Sequence, residues 1–446
     1  MEDCVFEQLT SFESLGVCPE LLEGLKRLNY TRPTHIQAQS LPYTLAGRDI
    51  IGLAETGSGK TLSFALPILQ ALLQAPKPYF ALVIAPTREL CLQINEHFKA
   101  LGESLGLKSV VVVGGLDLMA QSVALVGQKP HVIVGTPGRV LHHLERTKGF
   151  LLDRLRYLVL DEADRLLDLN FEEALNKILE HLPRKRSTFL FSATMTNKVS
   201  KLHRASLSDP VKVEVSQSKH QTVSTLTQHY LFLPDKFKNA YLAHLLAGQS
   251  GKSAIVFTMT CKSAIVCCLL LRNLGFQAVP IHGQMSQVKR LSALSKFKAR
   301  QTNLLVATDV ASRGLDVPNV DLVVNYDVPL TPKDYVHRVG RTARAGKAGL
   351  ALTLVTQYDV EAYQKIETAI GKRLDEFPLD EKTVLAGQER VQEAERIAEF
   401  EFKKLLEGSK KRKALFEEEG DEEEAEGKRP KKIKKKQFAK KRFDID

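Results

Sequence analysis

The first residues that could do chemistry are Ala54-Glu55-Thr56-Gly57-Ser58-Gly59-Lys60-Thr61, which follow the apolar run IIGL and precede a helical stretch. In a strand–loop–helix setting, Gly57 and Gly59 let the chain turn tightly, and backbone N–H groups of the stretch Thr56–Thr61 can then cradle phosphate oxygens at a helix N-terminus. Lys60 would reach the β- and γ-phosphates of a nucleotide, and the Thr61 hydroxyl would bind Mg²⁺. The general pattern G-x4-G-K-[ST] has glycine where this chain has Ala54. About 100 residues on, Asp161-Glu162-Ala163-Asp164 ends the apolar run YLVL. An acidic residue at the C-terminal end of a parallel strand sits at the sheet edge where ligands bind. Asp161 would hold Mg²⁺, and Glu162 could polarise an attacking water. Taken alone, the tetrapeptide reads equally well as an acidic helix start that complements the macrodipole; beside a phosphate loop, the ligand reading is favoured.

These two motifs are joined by others in a fixed order. They are Pro86-Thr87-Arg88-Glu89-Leu90, Gly114-Gly115, Thr136-Pro137-Gly138-Arg139, Ser192-Ala193-Thr194, Gln287-x-x-Arg290, Thr308-Asp309-Val310-Ala311-Ser312-Arg313-Gly314-Leu315-Asp316 and His337-Arg338-Val339-Gly340-Arg341-Thr342-Ala343-Arg344. With them the chain resembles the DEAD-box ATP-dependent RNA helicases of superfamily two, over about residues 5–375. The resemblance implies two RecA-like domains closing over ATP and single-stranded RNA. Three further stretches, at 189–207, 269–290 and 354–361, resemble the nucleolar branch that processes ribosomal RNA in the small-subunit pathway. That branch implies pre-rRNA and ribosome-assembly proteins as partners, and a nuclear, nucleolar location.

The resemblance also distributes roles. Phe12, with Asn29-Tyr30-x-x-Pro33-Thr34-x-x-Gln37, matches the adenine-reading motif. A Gln amide can donate to adenine N7 and accept from its amine while Phe12 stacks on the ring. Thr34-x-x-Gln37 is also a capping box at a helix start, so two readings stand for Gln37. Arg341 and Arg344 match the arginine fingers of the second domain, which stabilise charge on the γ-phosphoryl. Gly314 and Asp316 would touch the ribose and phosphates of ATP. Thr87, Arg88, Gly115, Thr136 and Arg139 in the first domain, and Arg290 and Thr308 in the second, match RNA-binding positions. Hydroxyls, backbone N–H groups and Arg suit phosphate and 2′-OH contacts, so binding independent of base sequence is expected. Asp309 cannot pair with phosphate and is expected to orient an Arg or a water. His337 is expected to organise the interface. Ser192-Ala193-Thr194 is open between a link from ATP state to closure and a plain hydroxyl-capped turn. The overall activity is open between a helicase that separates short duplexes and an ATP-gated RNA clamp with little turnover.

Elements must position these motifs. The runs at 50–54, 80–86, 110–113, 131–136, 157–164 and 189–194, and then at 254–258, 278–282, 303–309, 321–327 and 350–355, are continuous and apolar. Such runs fit strands covered on both faces, and their alternation with helical patterns makes the fold α/β with parallel sheets. The expected organisation is an N-terminal flank over 1–40, a RecA-like domain over 41–208 and a linker over 209–226. A second RecA-like domain over 227–375, one amphipathic helical extension over 376–407 and a disordered charged tail over 408–446 follow.

The chain has 446 residues, 43% hydrophobic and 26% charged, enough to build a large core. Its net charge of +11 favours a polyanionic partner. From Gly408 onward, 14 Lys/Arg and 10 Asp/Glu fall in blocks, which cannot bury a core. The basic clusters Lys410–Lys413 and Lys428–Lys436 suit nuclear import or RNA phosphate. No apolar stretch of membrane-spanning length occurs, and the acidic start Met1-Glu2-Asp3-Cys4 does not resemble a secretory signal. The six cysteines show neither disulfide nor zinc spacing, so no structural metal is expected.

Overall fold

The structure is a computed structural model that describes residues 11–54, 58–215, 226–309, 320–343 and 348–425, the last eighteen as backbone alone. Its strands are β1 (Ile50–Leu53), β2 (Ala81–Ile84), β3 (Ser109–Val112), β4 (Val132–Gly135), β5 (Tyr157–Leu160), β6 (Ser187–Ser192) and β7 (Val211–Glu214) in one sheet. The second sheet holds β8 (Leu226–Phe232), β9 (Ala254–Thr258), β10 (Ala278–Ile281), β11 (Leu304–Thr308), β12 (Leu322–Asn325), β13 (Gly349–Val355) and β14 (Asp375–Glu376). The spatial orders are β3-β4-β2-β5-β6-β1-β7 and β10-β11-β9-β12-β13-β8-β14. Renumbered from its own first strand, the second sheet has the order of the first. Every pairing is parallel, so the chain repeats one RecA-like architecture twice.

The apolar runs form strands because helices cover both faces of each sheet. In β2, Ala81 and Val83 join one core cluster, and Leu82 and Ile84 join the cluster on the opposite face. Strand β9 divides likewise, with Ile255 and Phe257 on one side and Ala254 and Val256 on the other. Phe64 anchors one core, with ring centroids 6.2 Å from Phe98 and 5.6 Å from Phe191. Phe191 in turn lies over β1 so closely that a Cβ on Gly52 would sit 2.5 Å from its ring. Only a residue without a side chain allows that packing.

Two segments differ from the sequence expectation. Residues 211–214, expected within the linker, form edge strand β7 of the first sheet. Val213 is buried while Lys212 and Glu214 face out, which is the alternation of a half-covered edge rather than of a polar connector. The expected single extension helix is two helices, Glu381–Ala386 and Gln388–Ala425, divided at Gly387. The buried stripe on the second is Val391, Ala394 and Ala398, packed against Leu270 of helix Cys261–Asn273. Ile397 and Leu405, apolar residues of the same helix, are exposed. Helical backbone continues past Glu407 into the charge-blocked segment, whose Glu, Lys and Ala are strong helix formers. No described helix is long and apolar enough to cross a membrane.

Candidate functional site

Strands β5, β6 and β1 are neighbours, so their C-terminal ends bring three motifs to one sheet edge. The register sets Leu160 opposite Leu190 and Leu53 opposite Ser192. After β1, the Ala54 N–H donates to the Ser192 carbonyl at 3.0 Å. Residues 55–57 lie outside the described residues, and with them Thr56 and Gly57. Ser58 and Gly59 lead into helix Lys60–Gln74, with Thr61 in its first turn. Gly59 has φ +94°, and a Cβ there would meet Gln37 Nε2 at 2.5 Å and Thr34 Oγ1 at 2.9 Å. Both the dihedral and the space call for glycine. Lys60 is buried, and its Nζ donates to the Ala54 carbonyl at 3.0 Å. The ammonium is therefore held at the end of β1.

Asp161 and Glu162 follow β5. Asp161 is buried, which pushes its carboxyl up to about 6; nearby Lys60 pulls it down and Glu162 pushes it further up. Asp161 Oδ1 accepts the Glu162 N–H at 3.0 Å. Glu162 holds φ +49°, a left-handed conformation that a non-glycine residue adopts at a cost of about 1–3 kcal/mol. Its Oε2 lies 2.9 Å from Arg165 Nη1, and both side chains are only 6% exposed. The Glu162 carboxylate is thus aimed by a buried guanidinium that the sequence reading did not single out.

The Ser192-Ala193-Thr194 turn joins these parts. Ser192 Oγ donates to the Thr194 carbonyl at 2.8 Å, and Thr194 Oγ1 donates to Asp164 Oδ2 at 3.0 Å. The turn is hydroxyl-capped, as one reading expected, and it also touches the acidic tetrapeptide.

The adenine-reading residues are placed less simply. Gln37 Oε1 accepts the Thr34 N–H at 2.8 Å, completing the capping box, and its Nε2 donates to the Gly59 carbonyl at 2.9 Å. Both ends of the amide are spent on the cap and on the phosphate loop. Phe12 is 4% exposed and packs into the first core with Val17 and Leu21.

From the second domain, Arg341 is buried. Burial, with Arg165 and Arg341 close by, holds His337 well below its usual range, at about 3. A neutral His337 between guanidiniums of both domains fits an interface organiser. Arg338 donates to Asp309 from Nε and Nη2, each at 2.6 Å, and to the Asp327 carbonyl. Asp309 therefore orients an Arg, as its acidity required. Gly314, Asp316 and Arg344 lie outside the described residues.

Beside this edge a cleft of about 590 Å³ opens between the domains. Thr87, Arg88, Thr136, Arg139 and Arg290, five of the expected RNA positions, line it together. Thr87 caps its own helix through the Leu90 N–H, whereas the Thr136 hydroxyl makes no cap bond at the start of helix Pro137–Arg146. Gly115 has φ +77°, and a Cβ on it or on Gly114 would crowd the Arg88 guanidinium. Thr308 is buried outside the cleft lining, and its hydroxyl has no partner among the described residues. Arg290 Nη1 reaches across to Glu89 Oε1 at 2.8 Å, joined there by Gln287 Nε2 at 3.2 Å. Among the described lining residues the one carboxylate, Glu89, is thus paired with an arginine of the other domain. His142, Leu169 and Phe171 also line the cleft. No motif marks them; they arrive through the fold.

Comparison with known proteins agrees with this geometry. Residues 34–202 match the DEAD/DEAH box helicase family, and residues 237–346 match the helicase conserved C-terminal domain. A probable ATP-dependent RNA helicase DDX47 of Homo sapiens is 56% identical over 94% of this chain and 91% of its own length. The chain belongs to the DEAD-box ATP-dependent RNA helicases. An ATP-dependent rRNA helicase RRP3 of Gibberella zeae is 56% identical over 89% of this chain and 82% of its own. Among solved structures, S. cerevisiae Dbp5 bound to RNA and ADP BeF3 superposes with a TM-score of 0.75 at 30% identity, covering 87% of this chain and 98% of that one. As a member of this helicase family the chain uses ATP and binds RNA.

Proposed function

We propose that the helicase holds ATP on the loop Thr56–Thr61 and Lys60, with RNA across the cleft between the domains. What supports this reading is the convergence of Arg88, Arg139 and Arg290, from both domains, in one cleft beside the phosphate loop. Three guanidiniums there can bind three phosphates bidentately, without reading a base edge. RNA would take Arg290 from Glu89. Arg341, and Arg344 with it, would face the γ-phosphoryl from the second domain. Gly314 and Asp316 would complete the nucleotide site. Glu162 would polarise the attacking water once freed from Arg165. Adenine reading by Phe12 and Gln37 requires Gln37 to exchange a capping or loop bond for the base.

The residues also fit Mg²⁺. Asp161 is a buried carboxylate with its pKa raised, which is a site short of positive charge. Mg²⁺ is commonly held by one or two carboxylates with phosphates and water. Asp161 and Thr61 would hold it, and it would neutralise charge on the phosphates. Through the relative named as an rRNA helicase, we take pre-ribosomal RNA as the substrate, ribosome-assembly proteins as neighbours and the nucleolus as the place of work. The units would be residues 41–215 and 226–376, since β7 and β14 complete the two sheets.

ATP-dependent separation of a short RNA duplex tests the reading. Strand release that needs hydrolysable ATP is expected. ATP-dependent retention of RNA without strand release would favour the clamp.

A further inference from the structure

The second domain reaches the acidic tetrapeptide of the first through a lysine that belongs to none of the motifs. Lys333 lies in the first turn of helix Pro332–Val339, whose cap Thr331 accepts the Asp334 N–H. Its Nζ is 3.0 Å from Asp164 Oδ2 and 3.2 Å from Asp168 Oδ2. The two arms differ in weight. The Asp168 side chain is 52% exposed, so solvent screens its arm. The Asp164 side chain is 1% exposed, and its Oδ2 also accepts the Thr194 hydroxyl. That oxygen is therefore shared between a turn of the first domain and an ammonium of the second.

We propose that Lys333 is a positioning residue for domain closure, whose ammonium, on reaching Asp164, ties the second domain through Thr194 and Ser192 to Ala54 at the entrance of the phosphate loop. Every step of the path is a hydrogen bond or ion pair: Lys333 to Asp164, Thr194 to Asp164, Ser192 to Thr194, and Ala54 to Ser192. Burial raises the Asp164 carboxyl, but Lys333, with Lys60 and the Thr194 hydroxyl, together hold the group below the usual carboxylate range. The contact exists only when the domains meet, because Lys333 and Asp164 belong to different sheets' helices. It rests on the reading above, in which RNA-stimulated turnover follows closure.

The test uses the full chain, with Lys333→Met, which keeps length and loses charge, and Lys333→Arg, which keeps charge. ATP hydrolysis is measured with saturating single-stranded RNA. Fluorescence transfer between dyes on the two domains is measured with the same RNA and a non-hydrolysable ATP analogue. For the Met variant, kcat should fall roughly tenfold while the KM for ATP stays nearly constant, because the lost contact forms only on closure. Its closed fraction should fall as well, and Arg should restore most of both. Asp168→Asn should change little. A Met variant that closes and turns over like wild type overturns the proposal. So does a loss of kcat at an unchanged closed fraction, or a loss that Arg does not rescue. A wild type that RNA fails to stimulate would count against the helicase reading, and the closure comparison would still decide the role of Lys333.

Discussion

At the scale of single residues, the site is held in a primed but unspent form. Glu162 sits in a left-handed backbone with its carboxylate on Arg165, and Lys60 rests on the Ala54 carbonyl. Glu162→Gln keeps size and hydrogen bonding and loses the charge. It should bind ATP and RNA and lose turnover by roughly 10²-fold or more, read in a steady-state assay; normal hydrolysis would remove the water-polarising role. Asp161 carries a pKa of about 6, and its ionised form is the one that serves the site. As pH falls through 6 the carboxylate is protonated, so kcat/KM for ATP should decline on an acid limb near that value. An acid limb near 4 would mean that Asp161 is not titrating as its burial requires. Gly59→Ala should abolish nucleotide binding, since the new Cβ would displace Gln37 and strain a φ of +94°. The residues that chemistry names on sight, Lys60, Asp161, Glu162 and the arginines, were legible because their motifs are local. Arg165, Glu89 and Lys333 were not, because their partners are brought to them by the fold and not by sequence spacing. Gln37 shows the converse. The capping box and the adenine motif share one amide, and the structure spends it on the cap and on Gly59.

At the scale of elements, parallel strands buried on both faces fix where the loops emerge. The apolar runs made those strands readable, and in β2 and β9 each run divides between two cores. Phe64→Ala should cost about 3–5 kcal/mol of first-domain stability, measured by denaturant unfolding, because it empties the centre of an aromatic cluster. Edges were harder to read. Strand β7 alternates Val with Lys and Glu, a pattern that a polar linker also shows until its pairing with β1 is known. The extension helix was legible as amphipathic, but its face was not. Ile397 lies about 120° round the helix from Val391, so Ala394 and Ala398 meet Leu270 and Ile397 does not. Arg338 belongs to this scale too. It pins β11 to β12 through Asp309, Asn325 and Asp327, and Arg338→Ala should destabilise the second domain by about 1–3 kcal/mol in denaturant unfolding, the cost of removing hydrogen bonds made by a buried guanidinium.

At the scale of the whole molecule, two copies of one topology meet at a cleft lined from both. The cleft that gathers five expected RNA positions draws Arg290 from one domain and Arg88 and Arg139 from the other. The charged C-terminal segment adds a separate electrostatic layer. If it contributes to RNA binding, truncation after Glu407 should lower affinity and flatten the salt dependence by ~0.7 log units per log salt for each phosphate released. An unchanged slope would leave the segment as a solubilising tail. The central claim, that RNA completes an ATPase shared between two domains, is tested most directly by steady-state ATP hydrolysis of the full chain. The rate is compared without nucleic acid, with single-stranded RNAs of unrelated sequence, and with DNA of matching sequence. Strong stimulation by every RNA and little by DNA is predicted, because the guanidiniums and hydroxyls lining the cleft suit phosphate and 2′-OH contacts. A rate that RNA leaves unchanged would contradict the account.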